Sequence, residues 1–349
     1  MLKTYHIALA CVILAVVVLL FGGETLSLEE WKEVCLNVKN HFLHNEELSS
    51  LSIIILEIRL PRVILALLVG ASLSGSGVVM QTIFRNPLVD PFLLGISSGA
   101  MLGVAMAIAV VESNIAILAF FGAILASLAV LAMNRVLGNS VLSLVLSGVV
   151  LSAFLSALAG AIKFFVIPQK AQAIVVWLLG SLSLSSYKDC LIAFIGLSLG
   201  FIPLFLLRWR INLLSLSDAQ SLSLGINPVL LRSLCLVCVS VAQSLSLGIN
   251  PVLLRSLCLV CVSVASALAV SVSGTIGWIG LVIPHVARLF FGANLQKLLL
   301  SSLLMGAFFL LLADVVAKTI TPYDLPVGIA TSVLGAPFFL WLLFRTRGV

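Results

Sequence analysis

The sequence predicts an all-α polytopic membrane protein of about ten transmembrane helices. Three observations carry that expectation. Of 349 residues, 62% are hydrophobic and only 9% are charged, against roughly 25% charged in a soluble domain. Apolar runs close to the ~20 residues that cross a bilayer follow one another almost without a break. Between them stand short polar knots rich in proline and glycine, for which a simple anchor has no use. No stretch is left for a soluble catalytic domain, so the chain reads as one membrane domain, 1–349.

The first apolar run, 6–22, follows Lys3 and lacks a small-x-small cleavage site, so it reads as a retained helix rather than a removed leader. An outer loop, 23–57, holds most of the acidic residues. The second span, 61–84, opens on Pro61 and runs into the first knot, Gln81, Arg85, Asn86, Pro87, Asp90 and Pro91. The third, 91–111, carries Gly99-x-x-x-Gly103, a packing pattern of weak specificity; the fourth is 115–137. The fifth, 140–166, presents Gly148, Ser152, Ser156 and Gly160 at a spacing of four. Such a stripe suits either close helix packing or the wall of a solute path. A short element, 174–182, precedes the sixth span, 190–207. The seventh ends near Gly274, the eighth covers about 277–290, the ninth 295–317 and the tenth 325–344.

The second knot, GTIGWIGLVIPHVAR (274–288), places Pro284 inside a span, where it frees backbone carbonyls. His285 beside it reads as a hydrogen-bonded structural residue before a proton relay. The third knot, DLPVGIATSVLGAP (324–337), has the same broken character. Basic residues set the orientation: a cytoplasmic N-terminus puts Lys3, Arg85, Arg135, Arg208, Arg210, Arg232, Arg288, Lys297, Arg345 and Arg347 inside. Both termini are then cytoplasmic.

Residues 220–242 recur unchanged as 243–265. A repeat that had drifted would show substitutions, and solenoids need at least three units, so one copy reads as an insertion or a sequence artefact. Gln243, Gly248, Asn250, Pro251 and Arg255 interrupt the apolar run of the second copy, which predicts that one copy forms no span of its own. The Cys235-x-x-Cys238 and Cys258-x-x-Cys261 pairs have zinc-ribbon spacing, but they lie on an apolar helix and arise by duplication. They read as core residues, and no metal site is expected.

There is no G-x-x-x-x-G-K-[ST] phosphate loop, so the chain holds no ATP by that route, and no H-E-x-x-H. Basic residues interleaved with aromatics are missing, which argues against nucleic acid. The spans show no paired nucleophile and base, and Asp314 is the main acid within them. A polytopic chain with irregular polar knots and no catalytic constellation points to transport.

The three knots together resemble the FecCD-type permeases of binding-protein-dependent ABC importers, the group of vitamin B12, haem and iron–siderophore permeases. The likeness runs from about Arg59 to the C-terminus, and removing one repeat copy restores gap-free spacing from Asn212 to Gly274. It implies a vitamin B12-permease-like (type II ABC importer) bundle in a bacterial inner membrane, acting as a homodimer. Two cytoplasmic ABC ATPase subunits would bind the ATP, and a periplasmic substrate-binding protein would deliver the cargo. It further implies docking of that protein on Arg59, Arg62 and Lys318. ATPase coupling would fall to Asn212, Leu213, Leu216, Ser217, Asp218, Leu224 and Gly225. Ser140, Ser143, Ser147, Gly148, Ser152, Ser156 and Gly160 would line the path and inner gate. Gln81, Asn86, Pro87, Asp90, Pro91, Gly280, Pro284, His285, Arg288, Pro326, Gly328, Gly335 and Pro337 form the structural motifs. No cofactor is implied for this chain. Cargo stays open between a metal chelate and an oxyanion such as molybdate or tungstate, and an ion-coupled secondary carrier built on Asp314, His285 and Lys163 is the alternative.

Overall fold

Backbone N–H and C=O groups in hydrocarbon need partners inside the chain, and helices supply them locally. A computed structural model describes residues 2–21, 27–44, 47–138, 140–214, 251–320 and 324–346, and among these every regular element is helical. In chain order they are α1 (Leu2–Phe21), α2 (Leu28–His44), α3 (Leu60–Phe84), α4 (Ile96–Met106), α5 (Ile115–Val136), α6 (Val141–Phe165), α7 (Pro168–Leu178), α8 (Tyr187–Leu214), α9 (Pro251–Ser273), α10 (Ile279–Phe291), α11 (Leu295–Ile320) and α12 (Val327–Thr346). Six helical stretches are long and apolar enough to cross a membrane, and four shorter apolar helices occupy the other expected places.

Several boundaries move for physical reasons. The outer loop contains α2, whose N-terminus is closed by a Ser27–Glu30 capping box: the Ser27 amide donates to Glu30 Oε2 at 2.7 Å and the Glu30 amide to Ser27 Oγ at 3.3 Å. Asn37 Oδ1 then accepts from the Ser49 amide at 2.8 Å and the Ser52 hydroxyl at 3.0 Å, folding the loop against the next helix. That helix begins at Ser50, not Pro61. It passes through a π-helical turn, Ile54–Arg59, before Pro61; the wider turn absorbs the missing N–H and the ring clash. The third span is broken into a 3-10 turn, Pro91–Leu94, a left-handed Gly95 and then α4. The short element lies at Pro168–Leu178, earlier than 174–182, because Pro168 starts it.

The centre of the bundle is α3, buried along most of its length. Small residues let neighbours reach its backbone. A methyl on Gly70 would collide with the Gly306 carbonyl of α11, and one on Gly77 with the Gly280 carbonyl of α10. The Gly77 contact has a second purpose. Pro284 lacks the N–H that would bond the carbonyl four residues earlier, at Gly280. Gln81 Nε2, one turn beyond Gly77, donates to Gly280 O at 3.4 Å and Leu281 O at 3.2 Å, and so takes over the freed acceptor.

The seventh span uses the second repeat copy: α9 runs from Pro251 through Ala265 into residues 266–273. Ser266, Ala267, Ala269 and Val270 there are buried in the core. Were the first copy in this place, the residues following it would set Gln243, Gly248 and Asn250 at positions 266, 271 and 273. Continuity into the buried segment thus selects the second copy. Pro251 and Arg255, expected to interrupt it, instead fall at the helix start, where proline is tolerated and a charge sits at the end of the bundle. The first copy lies outside the described residues, and Cys258 and Cys261 are buried without a disulfide.

The Gln81–Pro284 relation gives a double-mutant test. Gln81→Met should destabilise the protein by about 1–3 kcal/mol by orphaning the Gly280 carbonyl, and far less when Pro284→Ala restores the helical N–H. Denaturant unfolding in detergent measures the coupling; additive effects would exclude the relation.

Candidate functional site

The first knot is built by caps. Arg85 ends α3 in the left-handed region at φ 50°, and the Asn86 amide donates back to Gln81 O at 3.2 Å. Asn86 Oδ1 accepts from the Leu88 amide at 2.9 Å, turning the chain through Pro87. Asp90 then caps the 3-10 turn, accepting from the Phe92 and Leu93 amides at 3.1 and 3.3 Å. Burial pushes the Asp90 carboxyl up to about 6, although the two amide donors pull it down.

The second and third knots interlock with the turn after α7. The Ser181 amide donates to Ser273 O at 2.9 Å, the Gly328 amide to Gly180 O at 3.3 Å, and the Thr275 hydroxyl to Leu178 O. Gly180 and Gly274 turn at φ 69° and 70°, with their backbones in contact. Trp278 holds φ 71° as well, an uncommon conformation for a bulky residue. Its ring lies 6.3 Å from that of Phe339, and Gly335 of α12 leaves room for its Cβ.

These pieces enclose an open-mouthed cavity of about 410 Å³. Phe92 and Ser97 come from the first knot, Thr275 and Gly277 from the second, Gly328 and Ser332 from the third, and Leu178 and Leu179 from the turn after α7. All three knots and the short element therefore converge on one space. Its polar groups are hydroxyls, and none of its lining residues is ionisable. Gly95-Ile96-Ser97-Ser98-Gly99 spells the G-x-S-x-G pattern. That pattern needs a strand before the serine and a histidine near it; Ser97 follows a 3-10 turn and has neither in the lining.

The serine–glycine stripe of α6 divides in two. Ser140 caps the helix reciprocally with Ser143, whose hydroxyl also bonds Asn134. Ser143, Ser147 and Gly148 are buried, Gly148 against the Leu93 backbone. Toward the other end Ser152 is half-buried, Ser156 is exposed and Gly160 faces open space. In this chain the inner half packs, and the outer half has room beside it.

A second constellation closes the far end of α3. Arg62 is only 4% exposed. Its Nε and Nη2 bond the fully buried Asp314 at 2.9–3.1 Å, and its Nη1 bonds the half-exposed Asp324 at 3.0 Å. Lys318 reaches the other oxygen of Asp314 at 3.4 Å. Burial alone would raise the Asp324 carboxyl, but the hydrogen bond and charge of Arg62 prevail and hold it below its usual value. The expected docking residues are thus distributed unequally: Arg62 is committed inside, Lys318 is partly committed, and Arg59 is half-buried with Nη1 on Leu19 O at 3.3 Å. The acid considered for ion coupling, Asp314, has both oxygens occupied. Sequence reasoning missed this cluster because its members are up to 262 positions apart; the signal was only that charges in apolar spans need partners.

The other singled-out residues are structural or lie elsewhere. His285 Nδ1 is buried without a hydrogen-bond partner among the described residues, and Arg288 stands in the last turn of α10. Pro326 precedes α12, and Pro337 lies within it. Asn212 and Leu213 fall in the last turn of α8, whereas Leu216, Ser217, Asp218, Leu224 and Gly225 lie outside the described residues.

Two predictions follow from these charges. Asp314→Asn leaves Arg62 buried and underpaired and should cost about 3–5 kcal/mol, whereas Asp324→Asn at the half-exposed position should cost under about 1 kcal/mol; equal losses in thermal unfolding would contradict the cluster. Asp90 has a folded pKa above its unfolded one, so its contribution to stability is greatest below pH ~4 and is lost as pH rises through about 6. Asp90→Asn keeps the cap acceptor and should flatten that part of the stability–pH curve.

The family model described as the FecCD transport family matches residues 9–246 and 241–345, the two matches overlapping within the repeated segment. A Helicobacter pylori protein named "Probable iron chelatin transport system permease protein" is 93% identical over 349 residues, covering all of both chains. The molybdate import system permease protein MolB of Haemophilus influenzae is 35% identical, over 84% of this chain and 82% of its own. A solved structure described as a metal-chelate type ABC transporter in an inward-facing conformation superposes with a TM-score of 0.78 at 33% identity, over 98% of this chain and 99% of that one.

Proposed function

Because the chain belongs to the FecCD transport family, we propose that it is the permease subunit of a binding-protein-dependent ABC importer that carries an iron chelate across the inner membrane. The observation that carries this reading is the cavity where the three knots meet, lined by hydroxyls and apolar groups with no ionisable residue. Such a wall neither grips a charged cargo nor holds a coupling ion. Affinity and energy then come from other subunits: a periplasmic binding protein and two cytoplasmic ATPases, which bind the ATP.

The volume favours the chelate. About 410 Å³ lies within the range of roughly 300–1,000 Å³ used by drug-sized ligands, more than a tetrahedral oxyanion requires. The degree of likeness points the same way: the relative at 93% identity bears an iron-chelatin name, and the molybdate permease stands at 35%. In this reading two copies pair around the path, with the open outer half of α6 along it and Ser140, Ser143 and Ser147 at its inner gate. The end bearing Arg85, Arg135 and Arg288 faces the ATPases through the segment after α8, with both termini on that side. The opposite end, with Arg59 and Lys318 at its surface and Arg62 bracing it from within, receives the binding protein. An ion-coupled carrier is the weaker reading, since Asp314 is held by Arg62 and Lys318.

Uptake of a radiolabelled ferric chelate into proteoliposomes tests the proposal. Accumulation is expected only when the ATPase, ATP and the binding protein accompany this chain, and it should survive an ionophore. Uptake by the chain alone, collapsing with the ion gradient, would overturn it.

A further inference from the structure

At the end of the bundle opposite the Arg62 cluster, four helix ends surround a notch of about 40 Å³, room for one small oxyanion. Its polar rim is Asn134 and Arg135 from the last turn of α5, Ser140 from the cap of α6, and Arg255 and Ser256 from the first turns of α9; α3 ends in its floor. None of the lining residues is acidic. Neither arginine takes part in an ion pair among the described residues, and Arg255 Nε is buried there without a hydrogen-bond partner. A guanidinium nitrogen shut away from water and left unbonded is costly, and it marks a place where an acceptor belongs.

The electrostatic balance favours an anion. The N-termini of α6 and α9 each bring about half a positive charge, and the C-termini of α3 and α5 about half a negative one each. Those contributions cancel, leaving two guanidinium charges unopposed. A guanidinium fork matches phosphate oxygens bidentately, and the hydroxyls of Ser140 and Ser256 stand beside it. The surroundings indicate the source. Val136, Leu137 and Leu142, next to the notch in sequence, are exposed and apolar, as expected at the edge of the hydrocarbon rather than in open water. Basic notches between helices at that depth suit acidic headgroups.

We infer that this notch is a binding site for a phosphate-type oxyanion, filled from the bilayer by the headgroup of an acidic phospholipid. The lipid would tie α5, α6 and α9 together at the inner mouth, independently of which cargo is carried.

The test uses the full chain purified in mild detergent and relipidated with phosphatidylcholine doped with phosphatidylglycerol or cardiolipin. Native mass spectrometry should show retained acidic lipid on the wild type. Retention should fall about tenfold or more in the Arg135→Gln, Arg255→Gln double variant, since each lost bond involves a charged group. Arg208→Gln removes the same charge at the same end, where Arg208 stacks 4.1 Å over Phe205, and should change nothing. If the double variant does not accumulate, Arg135→Gln alone, at an exposed position, makes the same comparison. Equal retention by wild type and variant overturns the site. Stabilisation of delipidated protein by inorganic phosphate, lost in the variant and with no preference among lipids, overturns the bilayer source and supports the oxyanion chemistry.

Discussion

The structure depends on how one carbonyl is satisfied. Pro284 leaves Gly280 O without its helical donor in a place that water does not reach, and Gln81 supplies the replacement. That bond requires α10 to lie backbone to backbone on α3, which only glycines at 77 and 280 permit. Once α10 is fixed there, Pro91 is fixed too, since its ring packs against Gly280. The first knot and the second are therefore one construction, and the cavity they share with the third inherits its shape from it.

The chain keeps its charges away from that cavity. Arg62, Asp314, Asp324 and Lys318 neutralise one another at one end, and the arginines cluster at the other. Between them the lining offers Ser97, Thr275 and Ser332. An interior of this kind passes a solute without holding it, a division of labour that fits a family in which transport is shared among subunits. Buried ion clusters are poor stabilisers compared with apolar packing. Here the cluster ties α3 and α11 to the residue leading into α12, which forms part of the cavity wall.

Much of this was legible in the sequence, for identifiable reasons. Hydropathy located the apolar helices because an element that must satisfy its own backbone in lipid has little latitude in length. The knots were visible because proline and glycine have backbone consequences that do not depend on context. The convergence of those knots was not legible: nothing local links Gln81 to a carbonyl 199 positions away. The docking assignment of Arg62 met the same limit, because Asp314 and Asp324 claim its guanidinium through space. α2 was hidden for a different reason, its amphipathic pattern being weak beside the apolar runs that dominate the chain.

The repeat carries a consequence for how the chain is made. Two identical stretches offer themselves in turn for one groove beside α3 and α8, and the earlier one leaves the ribosome first. Nothing in its own letters disqualifies it. Only the eight residues after the later stretch, beginning at Ser266, break the tie. Biogenesis thus contains a decision that the translocation machinery cannot make by hydrophobicity, and that stays open until downstream sequence has emerged.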